Sequence, residues 1–379
     1  MKILPKHNAS EVTIFTEMTL LANKHNAINL AQGFPDYEID THLKQALANA
    51  TLQNYNQYAP LAGNPKLIEQ LILFNSQRSN AVCFEQNQIC ITPGATYAIY
   101  TALATILQPG DEVIILEPSY DSYQPAIETN GGKPVFCKLK EDFTVDWHLL
   151  SSKISKKTRA ILVNTPHNPS GKIWSADDWE KLYQLIKDTE IIVISDEVYD
   201  LLTYDNSNFV SVLTHPQLKE RSYAVFSFGK MFHITGWKIG YIVSSQELML
   251  AFKKVHQYLT FCVNSPAQEA LAEYITNFNC HENTKLMQSK RDFFLNEIKD
   301  VPFTIQEFSK GSYFQVVGFE NISSKSDKDF AIFLTEKLKV ATIPMSAFYH
   351  DRIDTQKLRF CFSKKEETLL EAAKNLKNL

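Results

Sequence analysis

Residues 175–200 read SADDWEKLYQLIKDTEIIVISDEVYD, and this stretch decides the fold class. Ser175, followed three positions later by Asp178, forms an S-x-x-D capping pattern that predicts the start of a helix. The run IIVIS that comes after the helix is apolar at successive positions, which is typical of a strand buried on both faces of a parallel sheet. A helix followed at once by such a strand is the repeating unit of an α/β fold.

The same alternation extends from about Gln88 to Tyr241. Short apolar runs (QICIT, EVIIL, KPVFCKL, RAILVN, IIVIS and YAVFSF) alternate with helical stretches such as GATYAIYTALATIL. We therefore predict an α/β fold with a mostly parallel central sheet flanked by helices. After Tyr241 long helical stretches prevail and strands become fewer, which predicts a second, smaller α+β domain beginning near residue 280.

Composition excludes several classes of protein. The 379 residues include 44% hydrophobic and 21% charged residues, which is ordinary for a globular enzyme. A formal charge of −4 argues against a nucleic-acid-binding face, and six cysteines without regular spacing predict neither a metal site nor disulfides. The opening MKILPKHNAS is interrupted by Pro5 and Lys6 before a signal sequence could form, and no apolar run reaches membrane-spanning length. We expect a cytoplasmic protein without membrane or nucleic-acid partners.

Polar and charged residues that could take part in catalysis or binding follow the strands of the predicted sheet. Asn168 lies beyond RAILVN, Asp196 and Tyr199 end or follow IIVIS, and Lys230 follows YAVFSF, while QICIT passes into a helix through Gly94. In an open α/β sheet, ligands bind beyond the carboxyl ends of the strands. These residues are therefore expected to meet at one edge of the sheet.

Their chemistry is complementary. A lysine among apolar neighbours such as those of Lys230 loses its proton easily and can attack a carbonyl carbon. A carboxylate such as Asp196 at a buried strand end needs a cationic partner. A helix N-terminus near Ser227 and Lys238 would hold a phosphate. Together these features describe a site for pyridoxal 5'-phosphate (PLP), with the lysine as the Schiff-base residue.

Each residue also has a purely structural interpretation. Lys230 could extend from a loop, Asp196 could cap a helix, Ser227 could satisfy its own turn, and Asn168 and Gly94 could form ordinary turns. Their joint placement favours the cofactor site. The S-x-x-K spacing of Ser227 and Lys230 also occurs in penicillin-recognising serine enzymes, but the S-D-N and K-T-G motifs of those enzymes are absent.

The sequence resembles the class I aminotransferases of PLP fold type I, and within them the methionine and kynurenine aminotransferase branch. The resemblance runs over nearly the whole chain and rests on segments in family order: INLAQGFPDYE, NQYAPLAGNPKL, ITPGAT, GDEVIILEPSYDSYQPAI, NTPHNPSGKIW, ISDEVYD, SFGKMFHITGWKIGY, VHQYLTF and LRFCFS. It implies a segment 1–40 that packs with the small domain, a large PLP-binding domain 41–280, a small domain 281–379, and a homodimer.

For the cofactor, the resemblance implies that Lys230 forms the Schiff base and that Asp196 pairs with the pyridine nitrogen. Asn168 and Tyr199 would bond to the phenolic oxygen, and Tyr120 would lie against the ring. The phosphate would be bound by Ala95, Thr96, Ser227, Lys238 and Tyr58 of the partner subunit. Position 238 is lysine where many relatives carry arginine, which replaces a planar fork by a point charge.

For the substrates, the resemblance implies that Arg359 binds the carboxylate, assisted by Asn168 and the backbone of Gly33. The side-chain pocket would contain Phe15, Phe34, Phe261 and Phe348, although core packing also explains most phenylalanines. The implied activity is transfer of the amino group of methionine or an aromatic amino acid, kynurenine among them, to a 2-oxo acid by a ping-pong mechanism. The alternatives are a β-lyase acting on cysteine S-conjugates or cystathionine, and a non-catalytic PLP-binding module.

Overall fold

The computed structural model describes residues 6–7, 12–78 and 82–379. Residues 1–5 and 8–11 lie outside the described residues, so the prediction about a signal sequence and the start of the 1–40 segment fall there. The helices are α1 (Ile14–His25), α2 (Thr41–Leu52), α3 (Pro65–Ser76), α4 (Ala95–Ile106), α5 (Tyr123–Thr129), α6 (Trp147–Lys153), α7 (Ala176–Ile186), α8 (Phe228–Met231), α9 (Gln246–Leu259), α10 (Ser265–Tyr274), α11 (Cys280–Glu297), α12 (Asp327–Lys337) and α13 (Glu366–Leu376).

The strands form three sheets. They are β1 (Ile28–Asn29), β2 (Ile89–Thr92), β3 (Glu112–Glu117), β4 (Lys133–Lys138), β5 (Thr158–Asn164), β6 (Ile192–Asp196), β7 (Ser222–Ser227), β8 (Gly240–Ser244), β9 (Phe314–Gly318), β10 (Val340–Ala341), β11 (Ile343–Pro344) and β12 (Lys357–Cys361). The large sheet has seven strands in the order β2-β8-β7-β6-β5-β3-β4. Strands β3 to β7 pair in parallel, and β8 pairs antiparallel with both β7 and β2. The predicted α/β class with a mostly parallel central sheet is confirmed.

Helices cover both faces of this sheet, which explains the continuous apolar runs. Neighbouring strand residues such as Val193 and Ile194 are fully buried on opposite faces. Helices α3, α7 and α10 contribute to one apolar cluster, and α4, α5 and α9 contribute to the other. Burial of a Val or Ile side chain contributes about 1.5–3 kcal/mol, so a doubly covered sheet forms a rigid support for residues at its edge.

The capping pattern that began the sequence argument is present at α7. The Ser175 hydroxyl accepts from the backbone N–H of Asp178 at 3.2 Å, and the Asp178 carboxylate accepts from the backbone N–H of Ser175 at 2.9 Å. These reciprocal bonds satisfy two backbone donors that a helix N-terminus would otherwise leave unpaired. The predicted start of this helix is therefore confirmed.

The chain after α10 builds a second group of elements. Strands β11, β12 and β9 form an antiparallel sheet, and β10 pairs in parallel with β1 near the N-terminus. A separate apolar cluster joins Met18 and Ala22 of α1 with residues of α11, α12 and α13, including Phe294, Leu334 and Leu369. The N-terminal helix thus packs against the C-terminal part of the chain.

The structure can also be searched for membrane-spanning helices, metal sites and disulfides. None of the described helices combines the length and apolar character needed to cross a bilayer. Within the described ranges, no group of His, Cys, Asp and Glu side chains is arranged to hold a metal ion, and all six cysteines are free thiols.

Candidate active site

A cavity of about 470 Å³ opens where several strands of the large sheet end. Strands β5, β6 and β7 end at Asn164, Asp196 and Ser227, and all three residues line this cavity. The structure also brings most of the other predicted site residues to its wall, namely Phe15, Gly33, Phe34, Ala95, Thr96, Tyr120, Asn168, Tyr199, Lys230, Lys238 and Arg359. Residues that are distant from one another in the chain thus line the same cavity.

Lys230 lies on α8, one turn of helix directly after β7. Its amine donates a hydrogen bond to the carbonyl of Gly33 at 2.9 Å and lies 5.5 Å from the ring centre of Tyr199. The protein around the amine disfavours its charged form, and this desolvation lowers the pKa from 10.5 to about 8. The lower pKa increases the unprotonated, nucleophilic fraction of the amine near neutral pH.

Asp196 is a buried carboxylate at the end of β6. Tyr123 donates to its Oδ2 at 2.6 Å, and the backbone N–H of Val198 donates to Oδ1 at 3.4 Å. Burial raises its pKa from 3.8 to about 6. The positive charge of Lys230 acts on this carboxylate, which lines the cavity and can accept a cationic partner there.

Arg359 on β12 is 1% exposed and faces the same cavity. Its Nη1 donates to Oδ1 of Asn168 at 2.8 Å, and its Nη2 donates to the carbonyl of Ala31 at 2.6 Å. Its Nε has no hydrogen-bond partner among the residues that the structure describes. Burial lowers its pKa to about 10, which still leaves the guanidinium charged at neutral pH. A buried cation with an unused donor is a binding site for an anion.

The start of α4 forms the opposite end of the cavity. Gly94 adopts φ 85°, a left-handed conformation that favours glycine, and it presents the first backbone N–H groups of the helix. A methyl group added at Gly94 would lie 3.6 Å from Nζ of Lys238, so the ammonium lies close to the helix start. Ala95, Thr96 and Ser227 line the same end. Helix dipole, free N–H groups and ammonium together favour a phosphate.

Aromatic rings surround the guanidinium. Its central carbon lies 3.8 Å from the ring centre of Phe314, 5.0 Å from that of Phe348 and 5.3 Å from that of Phe15. The rings of Phe15 and Phe348 are 6.0 Å apart and nearly perpendicular. Apolar walls on this side reduce the competition of water for the cation.

Three predicted site residues do not line the cavity. Phe348 is buried behind it, in contact with Phe15 and Arg359. Tyr58 is 84% exposed and Phe261 is 41% exposed, and their rings lie 5.7 Å apart on the surface of the chain. Within one chain, therefore, Tyr58 and Phe261 are not part of the site.

Several residues of the site were missed in the sequence. Tyr123 holds Asp196, Asn164 accepts from the backbone of Asn168 at 2.7 Å, and Phe314 stacks on the guanidinium of Arg359. Tyr123 follows Tyr120 at helical spacing, and Asn164 ends a predicted strand, so both positions carried a weak signal. Phe314 lies inside an ordinary apolar strand and carried none.

Comparisons with known proteins identify the family of this chain. The family model described as aminotransferase class I and II matches residues 25–376. The chain is 42% identical to methionine aminotransferase of Escherichia coli, with 97% of this chain and 96% of the relative covered. It is 30% identical to kynurenine–oxoglutarate transaminase 3 of Homo sapiens, with 96% and 87% covered. These names give no support to the β-lyase alternative.

A solved structure gives the same picture. The crystal structure of YbdL from Escherichia coli, described as having a methionine aminotransferase function, superposes with a TM-score of 0.97 at 41% identity, and each chain is covered completely. The predicted fold type, the predicted family and its methionine and kynurenine aminotransferase branch are confirmed. The chain therefore belongs to the aminotransferases of class I and II.

Proposed function

We propose that this enzyme uses PLP to move the amino group of methionine or an aromatic amino acid, kynurenine included, to a 2-oxo acid by a ping-pong mechanism. One observation carries the proposal: the amine of Lys230, the buried carboxylate of Asp196 and the buried guanidinium of Arg359 share one cavity. Aldehyde, ring nitrogen and substrate carboxylate are the three groups that these side chains would bind.

The residues present fit PLP at its phosphate end. Thr96 and Ser227 line the cavity together with the start of α4, and the ammonium of Lys238 lies close to Gly94, where the absence of a side chain leaves room. A phosphate dianion needs several donors and positive charge, and this end supplies both. The lysine at position 238 contributes charge without the planar fork of an arginine.

The residues of the cavity also fit the pyridine ring of PLP. Asp196 would pair with the protonated pyridine nitrogen, and the hydroxyl of Tyr123 keeps that carboxylate in place. Asn168 and Tyr199 would bind the phenolic oxygen, while Tyr120 would lie against the ring face. When bound, PLP supplies an aldehyde that bonds to amines and a ring that accepts electrons from the substrate Cα.

The chain's own residues then perform three tasks. Arg359 binds the substrate carboxylate, because Asn168 and Ala31 use only one N–H of each terminal nitrogen and orient the guanidinium, while the described residues leave its Nε unused. The amine of Lys230 moves the proton at Cα, and its low pKa suits both acceptance and release near neutral pH. Asp196 holds the proton of the ring nitrogen, which preserves the electron-accepting character of the ring.

The apolar side of the cavity supports methionine or an aromatic amino acid as the donor. Phe15 and Phe34 line the wall, and Phe348 packs behind it. Asp121 adds one carboxylate to the wall, which disfavours a second acidic group on the substrate. The similarity to methionine aminotransferase and to a kynurenine transaminase points in the same direction.

We also infer a homodimer. Tyr58 and Phe261 are exposed with their rings 5.7 Å apart, and the nearby chain positions Leu52, Tyr55, Tyr258 and Leu259 are exposed as well. An exposed apolar surface of this kind is typical of an interface. In a dimer, Tyr58 would reach the phosphate and Phe261 the substrate pocket of the partner subunit.

The domain division follows from the packing. The proposed large domain 41–280 contains the seven-stranded sheet, and the proposed small domain 281–379 contains α11 to α13 and the three-stranded sheet. The contacts of Met18 and Ala22 with the C-terminal apolar cluster support a segment 1–40 that belongs with the small domain. Arg359 and Lys230 then belong to different proposed domains, and both line the cavity.

The decisive experiment supplies the PLP-loaded enzyme with methionine, phenylalanine, tyrosine or kynurenine and with several 2-oxo acids. We expect equal amounts of new amino acid and new 2-oxo acid, with parallel lines in double-reciprocal plots. Pyruvate and ammonia from a cysteine conjugate, without amino transfer, would contradict the proposal. Stable PLP binding without any turnover would indicate a non-catalytic module instead.

A further inference from the structure

A network of hydrogen bonds surrounds His233, a residue three positions after Lys230 that the proposed chemistry does not use. Its Nε2 lies 2.7 Å from Oδ1 of Asn283, and its Nδ1 lies 3.2 Å from the hydroxyl of Tyr313 and 3.3 Å from that of Tyr37. His233 is partly buried, and desolvation by burial lowers its pKa from 6.5 to about 4, so the ring is neutral at neutral pH.

The network has one consistent arrangement of protons. Nδ2 of Asn283 donates to the carbonyl of Met231 at 3.4 Å, so its Oδ1 faces His233 and accepts from Nε2. Nδ1 of His233 is therefore the acceptor in the neutral ring. The hydroxyl of Tyr313 donates to the carbonyl of Lys230 at 2.7 Å, which leaves the hydroxyl of Tyr37 to donate to Nδ1.

Tyr37 also has other neighbours, and these fix its position. Its hydroxyl lies 3.3 Å from Oγ of Ser363 and 3.6 Å from Sδ of Met287. The segment 33–37 is further held by Lys364, whose amine donates to the carbonyl of Phe34 at 2.7 Å. At the other end of this segment, the carbonyl of Gly33 accepts from the amine of Lys230 at 2.9 Å.

We propose that His233 is a positioning residue for Lys230. Through Tyr37 it holds the segment 33–37, whose Gly33 carbonyl accepts a hydrogen bond from the lysine amine. The expected effect on turnover rests on the proposed function. The expected effect on the Lys230 amine does not, because that amine can be studied in the cofactor-free protein. His233 thereby connects the end of α8, which carries Lys230, to the segment that contains Gly33 and Phe34.

The backbone at His233 suits this side chain. Its φ is 61°, in the left-handed region, where histidine, asparagine and aspartate are more frequent than other residues with a side chain. The hydrogen bonds with Asn283 and Tyr37 hold the ring in this conformation.

Two variants separate the roles of the two ring nitrogens. His233→Asn places a polar atom near the position of Nδ1 and tolerates positive φ, whereas His233→Gln extends toward the position of Nε2 and loses the contacts to Tyr37 and Tyr313. We expect His233→Asn to retain kcat within about 3-fold and His233→Gln to lower it by about 10- to 100-fold, since small misplacements of a catalytic group have effects of this size. KM should change less than kcat in both.

A measurement on the cofactor-free protein tests the environment of the Lys230 amine directly. In the PLP-free protein, acetylation of Lys230 at a series of pH values is followed by peptide mass spectrometry. The wild-type midpoint should lie near pH 8, and His233→Gln should shift it upward toward 10.5, because water reaches the amine once the segment 33–37 is released. His233→Asn should keep the wild-type midpoint.

A double-mutant cycle and a control complete the test. Tyr37→Phe should reproduce the effects of His233→Gln, and the double variant should add nothing further. Tyr223→Phe removes a buried tyrosine hydroxyl that donates to the carbonyl of Leu248 at 2.8 Å, and it should change neither kcat nor the midpoint. Equal losses in His233→Asn and His233→Gln, or an unshifted midpoint in His233→Gln, would overturn the proposal. If the wild type transfers no amino group, the labelling profiles alone decide.

Discussion

The guanidinium of Arg359 donates a hydrogen bond to the side-chain oxygen of Asn168 at 2.8 Å, although 191 residues separate the two in the chain. Asn168 follows β5 of the large sheet, and Arg359 lies on β12 of the small sheet. The bond fixes the plane of the guanidinium and leaves its Nε unused in a dry environment. The geometry thereby prepares a carboxylate site beside the amine of Lys230.

Arg359→Lys tests this site. The ammonium keeps the charge but loses the planar fork, so we expect KM for both the amino acid and the 2-oxo acid to rise by about 100-fold, equivalent to about 3 kcal/mol for a buried charged hydrogen-bonded pair. The cofactor should stay bound. Arg291→Lys is the control, because Arg291 is buried but pairs with Asp205 outside the cavity. Loss of PLP with unchanged KM in Arg359→Lys would refute the role.

Lys230→Ala should abolish turnover and also the borohydride-stable attachment of PLP. The reason is that only an unprotonated amine attacks the aldehyde, and Lys230 has a pKa lowered to about 8 by burial. Mass spectrometry of the reduced protein locates the adduct. The circular dichroism spectrum should remain that of the wild type, and an adduct on Lys238 or another lysine would show that the assignment is wrong.

Asp196→Asn should lower kcat by about 10²- to 10³-fold, the usual cost of removing one preorganised electrostatic partner. The neutral amide cannot keep the ring nitrogen protonated. Stopped-flow measurement of each half-reaction would locate the loss in the proton-transfer step. Asp200→Asn provides the comparison, since Asp200 is equally buried but pairs with Arg78 at 2.6 Å. It should reduce thermal stability and leave kcat of the folded enzyme unchanged.

Asp205 makes the stability of the chain depend on acid. Hydrogen bonds from the Arg291 side chain lower the pKa of this carboxylate from 3.8 to about 2. A lowered pKa means that the stabilisation is complete above about pH 3.8 and is lost as the pH falls toward 2. Asp205→Asn should therefore lower the melting temperature at pH 7, and the difference from the wild type should shrink below pH 3.8. A difference that is independent of pH would exclude this mechanism.

Subunit mixing tests the contribution of Tyr58 across the dimer. A dimer formed from Lys230→Ala and Tyr58→Ala chains would contain one site with both residues intact if Tyr58 acts on the partner subunit. Activity should then rise on mixing the two inactive or weakened variants after unfolding and refolding. No recovery, despite formation of mixed dimers in native mass spectrometry, would place Tyr58 outside the site.

The sequence predicted the central sheet well because each of its strands is buried on both faces. Strand β8 was missed, since GYIVS follows the site motif without a separating helix and pairs antiparallel. Among the site residues, Lys230 and Asp196 could be inferred from strand ends alone. Arg359 required the family resemblance, and His233 and Phe314 gave no signal, because their contacts join segments that are distant in the chain.

The unused Nε of Arg359 has a kinetic consequence. In the proposed cycle a single guanidinium must receive the amino acid in one half-reaction and the 2-oxo acid in the other. Each substrate can then occupy the form of the enzyme meant for its counterpart and form a dead-end complex there. High concentrations of either substrate should therefore slow the overall rate.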